Sequence, residues 1–133
     1  MINLDIIKIA SDTENHGVIE KCTHHSKSKN PICGDEMKIY LLINANKILN
    51  FKYQCQSCIY CQASVSLLSK KLINKTVSEV KDFLENADKL FGPEKIKINE
   101  KWKDFEKIIN KKNVSRKECL LLPIKTTLKA LNN

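Results

Sequence analysis

The strongest pattern of hydrophobic and polar positions is an alternation with a period of two between residues 37 and 55. Because successive side chains of a β-strand point to opposite faces of the sheet, this alternation predicts strands with one buried face. The polar segment Asn44-Ala45-Asn46 interrupts it and predicts a turn, so the two strands should form an antiparallel hairpin. The residues expected on the buried face are Met37, Ile39, Leu41 and Ile43 in the first strand and Leu49, Phe51, Tyr53 and Cys55 in the second.

Helical spacing begins directly after the hairpin. Hydrophobic residues recur every three or four positions from Ile59 to Leu72, which predicts a helix. Thr76-Val77-Ser78-Glu79 has the pattern of a capping box, in which the Thr and Glu side chains satisfy backbone amides at a helix start. A second helix should therefore begin near Val77, and Gly92-Pro93 should end it.

Further helices are predicted at both ends of the chain. Residues 2–12 have the pattern of an amphipathic helix, and residues 17–19 are consistent with a short strand. Another helix is predicted over residues 99–110. The last should begin near Cys119, because Pro123 is tolerated only in a first turn. The residues expected to face inward are Leu4, Ile7 and Ala10 in the first of these helices, Trp102, Phe105 and Ile109 in the second, and Leu121, Ile124, Leu128 and Leu131 in the last.

Length and composition indicate a single globular domain over residues 1–133. The chain is long enough for one hydrophobic core, and 42% hydrophobic with 29% charged residues is a globular composition. The apolar runs are far shorter than a membrane span, and the N-terminus lacks the basic segment of a signal peptide. We therefore expect a cytoplasmic protein with no membrane partner.

The formal net charge of +8 is concentrated in residues 94–133, which hold 11 basic and 5 acidic side chains. Nucleic acid is one class of partner for a basic surface. The lysines, however, alternate with acidic and apolar residues at helical spacing, and no aromatic platform is interleaved with them. This arrangement favours a solvated helix face or an acidic protein partner over nucleic acid.

Six cysteines, at positions 22, 33, 55, 58, 61 and 119, carry most of the candidate chemistry. In a secreted chain they would suggest three disulfides. Without an export signal, reduced thiols are expected, which favours metal or redox chemistry for several of them. The run Cys22-Thr23-His24-His25 lacks a matching second pair, so an exposed strand end is favoured there over a metal site.

Cys33 and Asp35 lie on either side of Gly34, whose conformational freedom lets both side chains aim at one point. A thiolate beside a carboxylate suits a metal whose bonds are exchangeable, because oxygen is a poorer partner than sulfur for a soft metal. The alternative is a turn with a buried cysteine and a solvated aspartate. Since Cys33 precedes the first strand of the hairpin and Cys58 follows the second, the hairpin should make these two cysteines neighbours.

Cys58 and Cys119 are both predicted at helix starts, where the partial positive charge favours a thiolate. With Cys33 and Asp35 they form a set of three thiolates and one carboxylate. Zinc would occupy such a set tetrahedrally, and iron would occupy it as part of a cluster.

Three motifs occur in order along the chain: Asn30-Pro31-x-Cys33-Gly34-Asp35, then Cys58 with the segment Gln62-Ala63-Ser64-Val65-Ser66, then Arg116-x-x-Cys119-x-x-Leu122-Pro123. Together they resemble the IscU, SufU and NifU N-terminal family of iron–sulfur cluster assembly scaffolds. The resemblance implies an α+β fold with a three-stranded antiparallel sheet and helices around one face. It also implies that the metal and cluster ligands are Cys33, Asp35, Cys58 and Cys119.

The resemblance is closest to the SufU branch of this family. The long segment between Cys58 and Cys119 is similar to an insertion that marks that branch. Arg116 matches an arginine there that faces a pyridoxal-phosphate cysteine desulfurase. Glu118 stands where the IscU branch has a histidine, and the chaperone-recognition sequence Leu-Pro-Pro-Val-Lys of that branch is absent.

Residues 55–61 have the spacing Cys-x-x-Cys-x-x-Cys, which resembles half of a ferredoxin [4Fe–4S] loop. No fourth cysteine lies nearby, and this interpretation leaves Cys33 and Asp35 unexplained. SufU-like proteins usually have a glycine at the position of Cys55 and often a serine at that of Cys61. The role of a small buried hydrophobic residue is favoured for both.

The resemblance implies a non-enzymatic scaffold that accepts sulfur from the desulfurase, holds a transient [2Fe–2S] cluster and passes it to downstream acceptor proteins. The alternative is a zinc-dependent sulfurtransferase, in which Zn²⁺ holds the site and Cys33 or Cys119 accepts the sulfur. A zinc-stabilised nucleic-acid-binding domain is a third interpretation, which the lack of paired Cys-x-x-Cys motifs disfavours.

Overall fold

The computed structural model of the chain describes residues 4–31, 34–92 and 98–132. It is an α+β fold built on one three-stranded antiparallel sheet of order β1-β2-β3, as predicted. The strands are β1 (His24–Lys29), β2 (Glu36–Asn44) and β3 (Lys47–Gln56). The α-helices are α1 (Leu4–Ala10), α2 (Ile59–Lys71), α3 (Val77–Asn86) and α4 (Lys117–Leu131), and the 3₁₀ helices span Ala87–Phe91, Glu100–Lys107 and Lys111–Arg116.

The predicted hairpin is present, with one change of register near its turn. Leu42 pairs with Asn50 while the next residue of β2, Ile43, pairs with Ile48, so Leu49 is an extra residue on β3. Such a β-bulge reverses the alternation of faces beyond it. Ile48 is therefore fully buried and Leu49 is 44% exposed. The prediction that Leu49 faces the core was wrong for this reason.

The third strand, β1, has the polar sequence His-His-Ser-Lys-Ser-Lys. It pairs with β2 through its backbone, with Ser26 opposite Ile39, and helix α4 packs against it. The short strand suggested at residues 17–19 is not formed. Instead, His16 makes an isolated bridge to Tyr53, and the Gly17 amide donates to the Tyr53 carbonyl at 2.8 Å.

Helix α1 is present, but it buries a different face from the one predicted. Ile6 is fully buried and Ala10 nearly so, while Leu4 and Ile7 are exposed. Ile6 and Ala10 are four residues apart and share one helix face. Because that face packs on α2, the predicted burial is confirmed for Ala10 and was wrong for Leu4 and Ile7.

Helix α2 lies at the centre of the fold, in contact with α1, α4 and β3. Most of its length is buried, and several of its inward side chains are small hydroxyls. The Ser64 hydroxyl donates to the Leu120 carbonyl of α4 at 2.7 Å, and the Ser66 hydroxyl donates to the Asp12 carbonyl at 2.7 Å. These bonds satisfy buried polar groups and let neighbouring backbones approach α2 closely.

Helix α3 begins where the sequence predicts. Thr76 is its N-cap, and both bonds of the capping box with Glu79 are formed. The helix tightens into the 3₁₀ segment Ala87–Phe91, which ends at Gly92; Pro93 lies outside the described residues. The helix predicted over residues 99–110 is the 3₁₀ helix Glu100–Lys107, and its predicted inward residues Trp102, Phe105 and Ile109 are buried.

Helix α4 begins at Lys117, which places Pro123 in the interior of the helix and not in its first turn. The helix does start near Cys119, but the prediction that Pro123 lies in its first turn was wrong, because the 3₁₀ helix Lys111–Arg116 runs directly into α4 and starts it at Lys117. Pro123 has no amide hydrogen to offer the carbonyl of Cys119, four residues before it. The proline thus changes the backbone hydrogen bonding of the turn that carries Cys119.

The capping box gives a prediction about stability. The bonds of Glu79 to Lys101 and to Thr76 lower its pKa from 4.5 to about 2, so the folded state favours the ionised carboxylate. This contribution is present above pH 4.5 and is lost as the pH falls towards 2. We expect Thr76→Ala to lower the free energy of unfolding by about 1 kcal/mol. Glu79→Gln should have a lower free energy of unfolding than the wild type at neutral pH, and this difference should shrink in acid.

Urea denaturation of the wild type and both variants at several pH values measures these effects. The Glu79→Gln variant retains a side-chain acceptor at the same helix position, so it separates charge from capping geometry. If the free energy of unfolding of Glu79→Gln stays below that of the wild type by the same amount from neutral pH to acid, the assigned role of the Glu79 charge is contradicted.

Candidate functional site

Three of the four predicted ligands come together at one end of the hairpin. The ligand atoms of Asp35, Cys58 and Cys119 all lie within 4.8 Å of one another. Cys33 lies outside the described residues, so its role as a ligand stays a prediction. Within the described ranges, no other group of three or more metal-binding side chains converges in this way.

The sheet register places the two hairpin residues of this group. Glu36, the first residue of β2, is opposite Gln56, the last residue of β3. Asp35 immediately precedes that pair and Cys58 follows it by two residues. The antiparallel pairing therefore brings Asp35 and Cys58 to the same edge of the sheet.

Backbone hydrogen bonds hold the turn that carries Asp35. The Asn30 amide donates to the Asp35 carbonyl at 2.8 Å, and the Gly34 amide donates to the Asn30 carbonyl at 2.8 Å. Gly34 has φ +77, a left-handed conformation that glycine adopts without steric cost. The bend that the sequence predicts at this glycine is thus present, and it directs the chain into β2.

The Asp35 carboxylate is buried, with the residue 6% exposed. Its Oδ1 accepts a hydrogen bond from the Cys58 amide at 3.2 Å. Its Oδ2 is buried without a hydrogen-bond partner among the described residues. A buried carboxylate oxygen without a partner is costly, and a cation would satisfy it. Together with two neighbouring thiols, this oxygen is a donor set that fits iron or zinc.

Both thiols of the group lie at helix N-termini. Cys58 is the N-cap of α2, with extended backbone angles and no side-chain capping bond. Cys119 is the third residue of α4 and is 8% exposed. The positive ends of two helix dipoles therefore point towards one small region, which favours negatively charged ligands there.

Two more thiols are neighbours of this group along the chain. Cys61 is fully buried, and burial raises the pKa of its thiol well above the ordinary range. Cys55 is half-buried, and burial also raises the pKa of its thiol. Ser57 lies beside both, yet its buried hydroxyl forms no hydrogen bond of good geometry within the described part of the chain. Both cysteines contact the hydrophobic core; the predicted burial is confirmed for Cys61, while Cys55 is only half-buried.

Arg116 is exposed at the junction between the last 3₁₀ helix and α4. Its guanidinium carbon lies 5.3 Å from the centre of the Tyr60 ring, a cation–π contact. Tyr60 is two residues after Cys58, so the contact connects the starts of α2 and α4 beside the thiols. The sequence had no signal for this pairing, because neither residue belongs to a charge or aromatic pattern.

Other residues that the sequence analysis noted do not join the group. Glu118 is exposed and its carboxylate lies 3.7 Å from the Lys125 ammonium. Cys22 is half-buried before β1, and His24 and His25 are the first residues of that strand. The His24 ring contacts the Thr23 hydroxyl at 2.9 Å.

The basic C-terminal third contains several surface ion pairs. Lys101 lies 2.6 Å from Glu79, Lys103 lies 3.3 Å from Glu100, and Lys107 lies 3.5 Å from Asp104. These pairs support the interpretation of a solvated helix face. None of the helices in the described ranges is both long enough and apolar enough to cross a bilayer.

Comparison with known proteins agrees with the family resemblance that the motifs indicated. The model of the NifU-like N terminal domain family matches residues 3–102. The iron–sulfur cluster assembly scaffold protein IscU of Thermotoga maritima is 29% identical over 127 residues, which cover 95% of this chain and 89% of that protein.

Solved structures share the fold. A protein from Fervidobacterium islandicum AW-1, assigned as a SufU scaffold of the SUF system, has a TM-score of 0.84 and 29% identity, with 98% of this chain and 96% of that chain covered. A NifU-like N-terminal protein from Brucella abortus has a TM-score of 0.88 at 17% identity, with 98% and 91% covered, and supports the fold alone. With the family model matching most of the chain, the resemblance read from the motifs is confirmed: this protein belongs to the NifU-like N-terminal domain family.

Proposed function

We propose that this protein is an iron–sulfur cluster assembly scaffold. It accepts sulfur from a pyridoxal-phosphate cysteine desulfurase and holds a [2Fe–2S] cluster as cargo on Cys33, Asp35, Cys58 and Cys119. The convergence of Asp35, Cys58 and Cys119 within 4.8 Å is the observation that carries the proposal. The names of the Thermotoga and Fervidobacterium relatives support the same role.

The mixed donor set suits temporary binding. Thiolates bind iron strongly, whereas a carboxylate oxygen is a harder donor that exchanges more readily. Asp35 would therefore be the ligand that leaves first when the cluster is passed to an acceptor protein. Its Oδ1 bond to the Cys58 amide would hold the carboxylate in place when the cluster has gone.

We propose that the scaffold domain extends over residues 1–133, beyond the segment that the family model matches. Cys119 lies in α4, after residue 102, where that match ends. The Ser64–Leu120 hydrogen bond joins α4 to α2 beside this cysteine. Without α4, the site would lose one of its three described ligands.

A zinc-dependent sulfurtransferase is the second candidate function. It is favoured by the chemistry of the site, because thiolates and a carboxylate also suit tetrahedral Zn²⁺. In that role Zn²⁺ would hold the thiolates until the desulfurase displaces one, and Cys33 or Cys119 would accept the sulfur. Both candidates require reduced thiols and therefore a reducing compartment such as the cytoplasm.

Anaerobic reconstitution separates the two candidates. The protein is purified without added metal, its metal content is measured, and it is then incubated with a desulfurase, cysteine and ferrous iron. A scaffold should develop visible thiolate-to-iron absorption together with acid-labile sulfide that stays with the protein. One tightly bound zinc and no colour under any reconstitution condition would contradict the scaffold and favour the sulfurtransferase.

The ligand assignment gives a prediction for cysteine substitutions. We expect Cys33→Ser, Cys58→Ser and Cys119→Ser each to abolish cluster retention after reconstitution with ferrous iron and inorganic sulfide, measured as iron bound after gel filtration. The fold should survive, because Cys58 and Cys119 lie at helix starts and Cys33 is predicted outside the helices and strands. Cys22→Ser is the matched control and should retain the wild-type iron content. Full iron content in any of the three variants would remove that residue from the ligand set.

Residues Cys55 and Cys61 should behave differently from Cys58 in the same chemical reconstitution. Both have burial-raised thiol pKa values and neither belongs to the converging group. We expect Cys55→Ala and Cys61→Ala each to retain wild-type iron stoichiometry and visible spectrum, while Cys58→Ala does not. A changed spectrum in the Cys61→Ala variant would show that Cys61 is a ligand.

Arg116 should act on the desulfurase and not on the metal. Its guanidinium is exposed beside the thiols and is held over Tyr60. We expect Arg116→Glu to weaken binding to the desulfurase and stimulation of its activity, with cluster retention after chemical reconstitution unchanged. Lys112→Glu, an exposed charge reversal on the adjoining 3₁₀ helix, is the control for general charge effects. Equal losses in both variants would contradict a specific role for Arg116.

A further inference from the structure

Cys58 and Cys61 occupy the N-cap and the third position of the same helix, α2. Side chains at these two positions face each other across the first helical turn. Helix α3 shows this relation directly, because the Thr76 hydroxyl at its N-cap lies 2.7 Å from the Glu79 carboxylate at its third position. The two N-caps have similar backbone angles, φ −70 and ψ 167 at Cys58 and φ −73 and ψ 150 at Thr76. Cβ atoms three residues apart on a helix are about 5–6 Å apart and a disulfide needs about 3.5–4.5 Å, so a Cys58–Cys61 bond requires a small shift of the N-cap, where the backbone is extended.

The first turn of α2 is regular, which supports this geometry. The Gln62 amide donates to the Cys58 carbonyl at 3.0 Å, the bond expected between residues four apart. Cys61 lies on the buried side of that turn and has no part in the converging ligand group. Cluster binding therefore makes no use of the Cys61 thiol.

Cys58 also has a second thiol within reach. Its Sγ lies within 4.8 Å of the Cys119 Sγ, a gap that side-chain rotation can close to a disulfide. The unpartnered Oδ2 of Asp35, a residue that is 6% exposed, lies in the same group. Cys58 can thus form a disulfide either with Cys119 on α4 or with Cys61 on its own helix, and thiol–disulfide exchange can convert one into the other.

We propose that Cys58 and Cys61 form a redox-active dithiol pair that reduces sulfane sulfur carried by Cys119 and releases it as sulfide. The proposal rests on the proposed function, since the desulfurase supplies the Cys119 persulfide. Sulfur arrives as a persulfide but enters a cluster as sulfide, so each sulfur atom must gain two electrons, which a dithiol can supply by forming a disulfide. A dithiol beside the acceptor supplies these electrons within the same protein.

The reaction has two balanced steps. In the first, the Cys58 sulfur attacks the Cys119 sulfur and a Cys58–Cys119 disulfide forms. The persulfide S–S bond breaks, and its electron pair leaves with the outer sulfur, which takes the Cys58 proton as HS⁻. In the second, Cys61 attacks Cys58, a Cys58–Cys61 disulfide forms, and Cys119 leaves as a thiolate that takes the Cys61 proton. An external dithiol, a thioredoxin-like protein or dithiothreitol, then reduces the disulfide and restores Cys58 as a ligand.

The test loads metal-free full-length protein with inorganic polysulfide, which bypasses the desulfurase. Excess polysulfide is removed, no reductant is added, and the samples are quenched in acid and alkylated. Released sulfide is measured, and the tryptic fragments 53–70 and 118–125, which hold Cys55, Cys58, Cys61 and Cys119, are analysed by mass spectrometry. The variants are Cys61→Ser and, as the matched control, Cys55→Ser.

The wild type should release about one sulfide per Cys119 persulfide, and fragment 53–70 should carry one internal disulfide and one alkyl group, where the reduced fragment carries three alkyl groups. Cys61→Ser should still release sulfide but trap fragment 53–70 cross-linked to fragment 118–125. Cys55→Ser should match the wild type. A wild-type protein that keeps its persulfide until dithiothreitol is added would overturn the proposal, as would a Cys61→Ser variant without the cross-link. Intact sulfide release from a protein that binds no iron would overturn the scaffold function alone.

Discussion

The antiparallel register between β2 and β3 is the constraint on which the site depends. Because Glu36 is opposite Gln56, the turn before β2 and the connection after β3 meet at one edge of the sheet. Asp35 and Cys58 are therefore neighbours, and the Cys58 amide bonds to the Asp35 carboxylate at 3.2 Å. A register shifted by one residue would turn the buried residues of the hairpin to the solvent face, so the hydrophobic pattern of the hairpin also protects the geometry of the site.

Helix α4, which packs against α2, β1 and β2, completes the site with Cys119. The Ser64–Leu120 bond joins the two helices one residue from Cys119. Pro123 and the preceding 3₁₀ helix make the start of α4 irregular in its hydrogen bonding, and this is the part of the helix that carries the thiol. The site therefore combines a turn, a helix cap and a helix start, each held by a different part of the core.

Sequence patterns predicted the elements whose hydrophobic spacing reflects burial. The hairpin, α2 and the capping box of α3 were confirmed because each has a strong local signal. Strand β1 has no such signal, since its residues are polar and its pairing is made by the backbone. The exposure of Leu49 depends on a bulge, and the position of Pro123 depends on where a 3₁₀ helix joins α4. Neither follows from spacing alone.

The same distinction applies to the site. Spacing placed Asp35 beside Cys33, and hairpin geometry made Cys33 a predicted neighbour of Cys58. Helix starts predicted thiolates at Cys58 and Cys119, and Asp35, Cys58 and Cys119 do converge. The unpartnered Oδ2 of Asp35 and the Arg116–Tyr60 contact required coordinates, because they depend on side-chain placement between separate elements. The central claim is that Asp35, Cys58 and Cys119 bind one metal centre together with Cys33. X-ray absorption at the iron edge of the reconstituted wild-type protein tests it most directly. We predict a mixed sulfur and oxygen coordination shell that includes one oxygen-donor protein ligand; a shell of sulfur alone would contradict the place of Asp35 and with it the account of the site.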